Sequence, residues 1–104
     1  MIEYNVYIGY VNRPAAADHF TALGGYALGL GLPGFTSFDA VGGWRPPAGD
    51  EVYEPGKVFR FILDRPAQDM VMPWSVLAFV QEAKHLLQQQ EVLVTRIEVG
   101  TWRT

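Results

Sequence analysis

The chain has 104 residues, enough for one domain with a buried core and too few for two of ordinary size. Apolar residues make up 49% of it and charged residues 18%, below the roughly 25% of an average domain, which excludes disorder and predicts one globular domain over 1–104. Eight Lys and Arg against eleven Asp and Glu leave a formal charge of −3, which argues against a general binder of nucleic acid or anionic membranes.

The first segment, Tyr4 to Val11, is dense in β-branched and aromatic residues and reads as a strand. Asn12-Arg13-Pro14 supplies a helix cap and a first-turn proline. The helix that follows carries Ala16, Phe20, Leu23 and Ala27 on one stripe, and the pair Gly24-Gly25 predicts that it frays or ends there. Gly29, Gly31, Pro33 and Gly34 mark a loop. A second strand is expected over 35–44 with an irregularity at Gly42-Gly43, then a turn at 45–50. A third runs from Glu51 to Leu63 with a bulge or bend at Pro55-Gly56, and Asp64-Arg65-Pro66 closes it.

A second helix is expected from Pro73-Trp74-Ser75 to about Gln89. Val76, Val80, Ala83 and Leu87 form its apolar stripe, with Leu77 and Phe79 at the margins. Val92 to Val99 is the last strand. The order β-α-β-β-α-β is that of the α+β ferredoxin-like sandwich, with both helices on one face of a four-stranded antiparallel sheet.

That arrangement leaves one sheet face without helices, and the sequence gives that face apolar residues. In the first strand Tyr4, Val6, Ile8 and Tyr10 lie on one side, Tyr7 and Val11 on the other. In the third, Phe59, Phe61 and Leu63 share one side, while Val58 and Ile62 flank Arg60 on the other. A sheet that meets water should alternate cleanly, so this one is expected to form a homo-oligomer through its open face.

The stretch Gly34-Phe35-Thr36-x-x-Asp39-x-x-Gly42-x-Trp44-Arg45, followed by Gly49 and then Glu54-Pro55-Gly56-Lys57-Val58, carries a resemblance. It resembles a family of small bacterial proteins known as a domain of unknown function, whose members read G-L-T-x-x-D-x-x-G-x-W-R and then E-x-S-K-V into a strand. Gln90-x-Val92 at the last strand is a further echo. About a quarter of the chain is covered. Gly43 stands where the family often has Gln, Gly56 where it has Ser, and the first helix lacks the usual tryptophan. The resemblance implies the same fold, directs attention to this hairpin, and implies no activity.

Asp39, Trp44, Arg45, Glu54 and Lys57 are the candidate ligand-binding residues on that hairpin. Two readings stand. In one, Arg45 clamps an anion and a carboxylate serves as base or acceptor. In the other, cross-strand ion pairs fix hairpin register while Trp44 packs on the sheet. The absence of cysteine removes disulfides, thiolate catalysis and Cys-based zinc sites. His19 and His85 have no metal-ligand spacing or nucleophile context and read as surface histidines, so no metal or cofactor is expected. The run 24–34 contains a G-x-G but neither the Lys-Ser/Thr of a P-loop nor a following helix, which leaves a flexible connection whose Tyr26, Leu28, Leu30 and Leu32 cover a sheet edge or a pocket.

The expectation from these features is a self-associating module that binds a small ligand, an anion among the candidates, or a protein partner. An acid-base enzyme in a dimer cleft is the alternative, using Asp39 or Glu54 as base, Arg45 as anion clamp and His19 in support. Single-stranded RNA binding through Tyr4, Tyr7, Phe59 and Phe61 is a weaker one, opposed by the net charge and the incomplete motif. No apolar run reaches the roughly 18 residues of a membrane span and no signal peptide is visible, so a cytoplasmic protein is expected.

Overall fold

The computed structural model describes residues 1–9, 16–64, 72–89 and 91–102, the side chains of residues 16 and 17 excepted. Six elements follow one another: β1 (Ile2–Gly9), α1 (Ala16–Gly29), β2 (Thr36–Trp44), β3 (Val52–Leu63), α2 (Trp74–Leu87) and β4 (Leu93–Glu98). The strands form one antiparallel sheet in the order β2-β3-β1-β4. This is the ferredoxin-like arrangement expected from the element order. The expected roles of Tyr10, Val11, Asn12-Arg13-Pro14, the Ala16 side chain, Arg65-Pro66 and Gln90 lie outside the described residues.

Residues opposite one another in an antiparallel ladder share a face, so register and burial together assign the two sides of the sheet. Tyr4 faces Phe61 and Val6 faces Phe59 across β1 and β3. All four are at most 1% exposed and join Ile2, Ile8, Phe20, Leu23, Ala27, Val76, Phe79, Val80, Ala83 and Leu87 in the core. The rings of Phe59 and Phe79 lie 5.1 Å apart, and those of Phe61 and Phe79 4.9 Å apart near edge-to-face, the arrangement that aromatic quadrupoles prefer. Tyr4, Phe59 and Phe61 are therefore beneath the helices and out of reach of a nucleic-acid base.

α2 buries a wider stripe than its spacing suggested. Phe79, expected at the margin, is fully buried, while Leu77 on the other side is exposed. The helix ends at Gln88, whose left-handed φ of 52° turns its amide back to the His85 carbonyl.

α1 does not end at Gly24-Gly25 but runs to Gly29, and a turn with Gly31 at φ 86° stops it. The reason is tertiary. The ring of Phe35 packs against the helix backbone at Gly24, where a β-carbon would meet Cζ at 2.7 Å. That ring also stands 5.5 Å from Phe59 and 6.5 Å from Phe61. Packing on both flanks, through Leu23 and Ala27, outweighs a propensity cost of about 1 kcal/mol per glycine.

The irregularities expected in the hairpin are also absent. Register between β2 and β3 runs unbroken from Thr36↔Arg60 to Trp44↔Val52, through Gly42↔Glu54, Gly43↔Tyr53 and Val41↔Pro55. The Tyr53 ring covers Gly43, with Cε1 3.0 Å from the place of a β-carbon, and so fills the gap a glycine leaves in a ladder. Pro55 lies past the last described β1 partner, Gly9↔Gly56, where among the described residues β3 is paired to β2 alone and a missing amide breaks no second ladder. Among the described residues, 41–44 and 52–55 thus form a two-stranded arm.

Candidate functional site

The face of the sheet away from the helices is organised in rows across the strands. Phe38, Val58, Tyr7 and Leu93 are successive register partners and make an apolar row over all four strands. Val58 is only 1% exposed, between Tyr7 and Phe38, whereas Tyr7, Phe38 and Leu93 remain open to solvent. The neighbouring row is polar: Thr36, Arg60, Asn5 and Thr95. Asn5, nearly fully buried, accepts from Arg60 Nε at 2.9 Å and donates to Glu3 Oε2 at 2.9 Å. Arg60 Nε also stands 3.3 Å from Glu3 Oε1, and its guanidinium lies 5.1 Å from the Phe38 ring. The charges of this row are thus matched within the sheet.

On the other side of the apolar row the side chains vanish. Ala40, Gly56 and Gly9 are the next register partners, and a β-carbon on Gly56 would stand 3.0 Å from the Ile8 carbonyl oxygen. Beyond them the arm raises Trp44 and Glu54, joined by a hydrogen bond from Trp44 Nε1 to Glu54 Oε1 of 3.2 Å. The result is a trough of about 330 Å³, floored by backbone, with Tyr7 and Val58 along one wall and Trp44 and Glu54 along the other.

The five hairpin candidates fall into three separate contacts. Trp44 and Glu54 meet in the trough. Asp39 and Lys57 are register partners on the opposite, helix-side face, where Lys57 Nζ donates to Asp39 Oδ1 at 3.0 Å and stands 5.6 Å from the Phe20 ring. Lys57 still borders the trough from within β3. Arg45 lies near the end of the arm, hydrogen-bonded to Glu51 Oε1. Period-two alternation forces the first separation, since Asp39 and Glu54 belong to opposite parities once the register is fixed.

Two residues not singled out from sequence complete the tip. Glu51 Oε2 accepts from the Tyr53 hydroxyl at 2.6 Å, and this bond, with that from Arg45, holds the Glu51 carboxyl below its usual range. The same bond pushes the Tyr53 phenol upward. The signal was the alternate spacing of Glu51 and Tyr53, which puts them on one face of a strand.

His85 is exposed. His19 is half-buried on α1, with Nδ1 enclosed and without a hydrogen-bond partner among the described residues, so it is not a plain surface histidine. Among the described residues no three His, Asp or Glu groups are placed to hold a metal ion, and no helix is long and apolar enough to cross a membrane. In the Gly-rich run, Leu32 is buried and Leu30 packs on the core, whereas Tyr26 and Leu28 are exposed.

No protein-family model matches the chain, and no curated protein matches it. Solved structures do. A phage SAM lyase in complex with S-methyl-5'-thioadenosine superposes with a TM-score of 0.61 at 16% identity, over 93% of this chain and 80% of that one. The periplasmic divalent cation tolerance protein CutA from Archaeoglobus fulgidus gives 0.57 at 10% identity, over 99% and 88%. GlnK of B. subtilis in its ATP complex gives 0.52 at 14%, over 93% and 84%. At these identities the likeness is one of fold.

Proposed function

We propose that the protein is a self-associating module in which a second copy closes on the open sheet face and a small ligand is held in the trough at the root of the arm. The observation that carries this reading is the row Phe38–Val58–Tyr7–Leu93, apolar from edge to edge on the face that the helices leave open. Leu93 is 63% exposed, and Ile97 and Trp44 on the same face about half. A sheet of four strands spans about 14 Å between its outer strands and about 26 Å along eight residues. With the arm included, that flat outline covers about half of the roughly 800 Å² per partner of a standard interface. The polar row does not oppose closure, because Arg60, Asn5 and Glu3 already satisfy one another.

The ligand part rests on the trough beside that row. Gly42, Trp44, Glu54, Lys57 and Val58, which carry the resemblance to the uncharacterised bacterial family, all line it. Small adenine compounds accompany two of the similar folds, S-methyl-5'-thioadenosine with the phage lyase and ATP with GlnK. That supports a small organic ligand by analogy of fold. An acid-base site built from Asp39, Arg45 and Glu54 has less support, since these groups stand in three different contacts.

Light scattering on a size-exclusion column tests the association. The wild-type chain elutes as a dimer or larger, and L93E, which alters an exposed side chain, elutes as a folded monomer. A wild-type monomer at high concentration would overturn the reading.

A further inference from the structure

Among the described residues, the trough has one charge left without a counter-charge, and it is negative. Glu54 Oε1 is fixed by Trp44, whereas Oε2 has no hydrogen-bond partner among the described residues and lies 3.2 Å from where a β-carbon on Gly9 would stand. It is aimed over the bare floor. The cations near it are committed elsewhere: Lys57 to Asp39 on the helix-side face, Arg45 to Glu51 at the tip. Among the described residues nothing here complements a phosphate or a carboxylate. What the trough offers is an acceptor, a flat backbone floor and the aromatic surfaces of Trp44 and Tyr7.

We infer that the trough selects a flat nitrogen heterocycle that presents an N–H donor or a positive charge to Glu54 Oε2, and discriminates against anions of the same shape. The inference rests on the reading of the trough as a ligand site and names the chemistry of its ligand. Three features select for it together. A floor of Gly9, Gly56 and Ala40 gives a plane room to lie down where any larger side chain would block it. An N–H directed at a carboxylate makes a charge-assisted bond, stronger than its neutral counterpart. A cationic ring beside an indole gains further from the quadrupole of the indole face. An anion meets the like charge of Glu54, and the described cations beside it, Lys57 and Arg45, are already paired.

The test uses three probes on one ring system, titrated into the full-length protein while the Trp44 indole N–H resonance is followed by NMR. They are 4-aminoquinoline, protonated at neutral pH; quinoline; and quinoline-4-carboxylate. The expected order is 4-aminoquinoline about tenfold tighter than quinoline, with the carboxylate weaker than both. In E54Q the advantage of the amine falls to about twofold or less while quinoline affinity is kept. Equal affinity for all three, or preference for the carboxylate, overturns the selectivity and leaves the trough a ligand site. Failure of every probe to move the Trp44 resonance overturns both.

Discussion

The ring of Phe35 occupies the space that a side chain at Gly24 would need: a β-carbon there would lie 2.7 Å from Cζ and 3.3 Å from Cε1. Gly25, one position on in α1, has nothing within 4 Å of its β-carbon position. Adjacent glycines in one helix therefore answer differently to the same substitution. Gly25→Ala gains helix propensity and raises stability by about 0.5–1 kcal/mol. Gly24→Ala displaces Phe35 from its place beside Phe59 and lowers stability by about 1–3 kcal/mol. Urea unfolding of the two variants checks both signs.

At the tip of the arm, Glu51 accepts from both Arg45 and Tyr53. Its carboxyl is lowered from the usual 4.5, so the stabilisation it lends the tip is present above that value and is lost as pH falls through the lowered one. The Tyr53 phenol is raised from 10.0, so its share is present below that value and is lost as pH rises through the raised one. NMR titration should find Glu51 ionising below 4.5 and Tyr53 above 10.0, and Glu51→Gln should return Tyr53 toward the ordinary range. A Tyr53 titration unchanged by Glu51→Gln would contradict the contact.

Arg60 holds together the polar row of the open face through Asn5 and Glu3. Arg60→Ala leaves the nearly buried Asn5 carbonyl without its donor and costs about 1–3 kcal/mol. Lys57→Ala breaks a pair whose carboxylate partner is 85% exposed, and costs about 1 kcal/mol or less. Thermal melts of the two variants should separate them in that order.

Much of this fold was legible in the sequence because its periods are clean. Alternation in β1 and β3 separated Tyr4 and Phe59 from Tyr7 and Val58, and helical spacing found Val76, Val80, Ala83 and Leu87. What stayed hidden depends on contacts between distant segments. Gly24-Gly25 reads as a helix end until Phe35 is seen against it, and Gly42-Gly43 as a bulge until Tyr53 is seen covering Gly43. The trough was hidden for the same reason. Its floor is defined by glycines on two strands becoming register partners, Gly9 and Gly56, and no local pattern announces that. Register also parts Asp39 and Lys57 from Trp44 and Glu54, which simple proximity in the hairpin would group together.

The central claim is that the open face is an interface and the trough beside it a ligand site. Native mass spectrometry of gently purified protein addresses both at once, since it reports subunit number and any small molecule retained. The account predicts a dimer or larger assembly carrying an additional small mass, and loss of that mass in Ala40→Leu, whose side chain would rise from the trough floor. A monomer without any bound mass would contradict it.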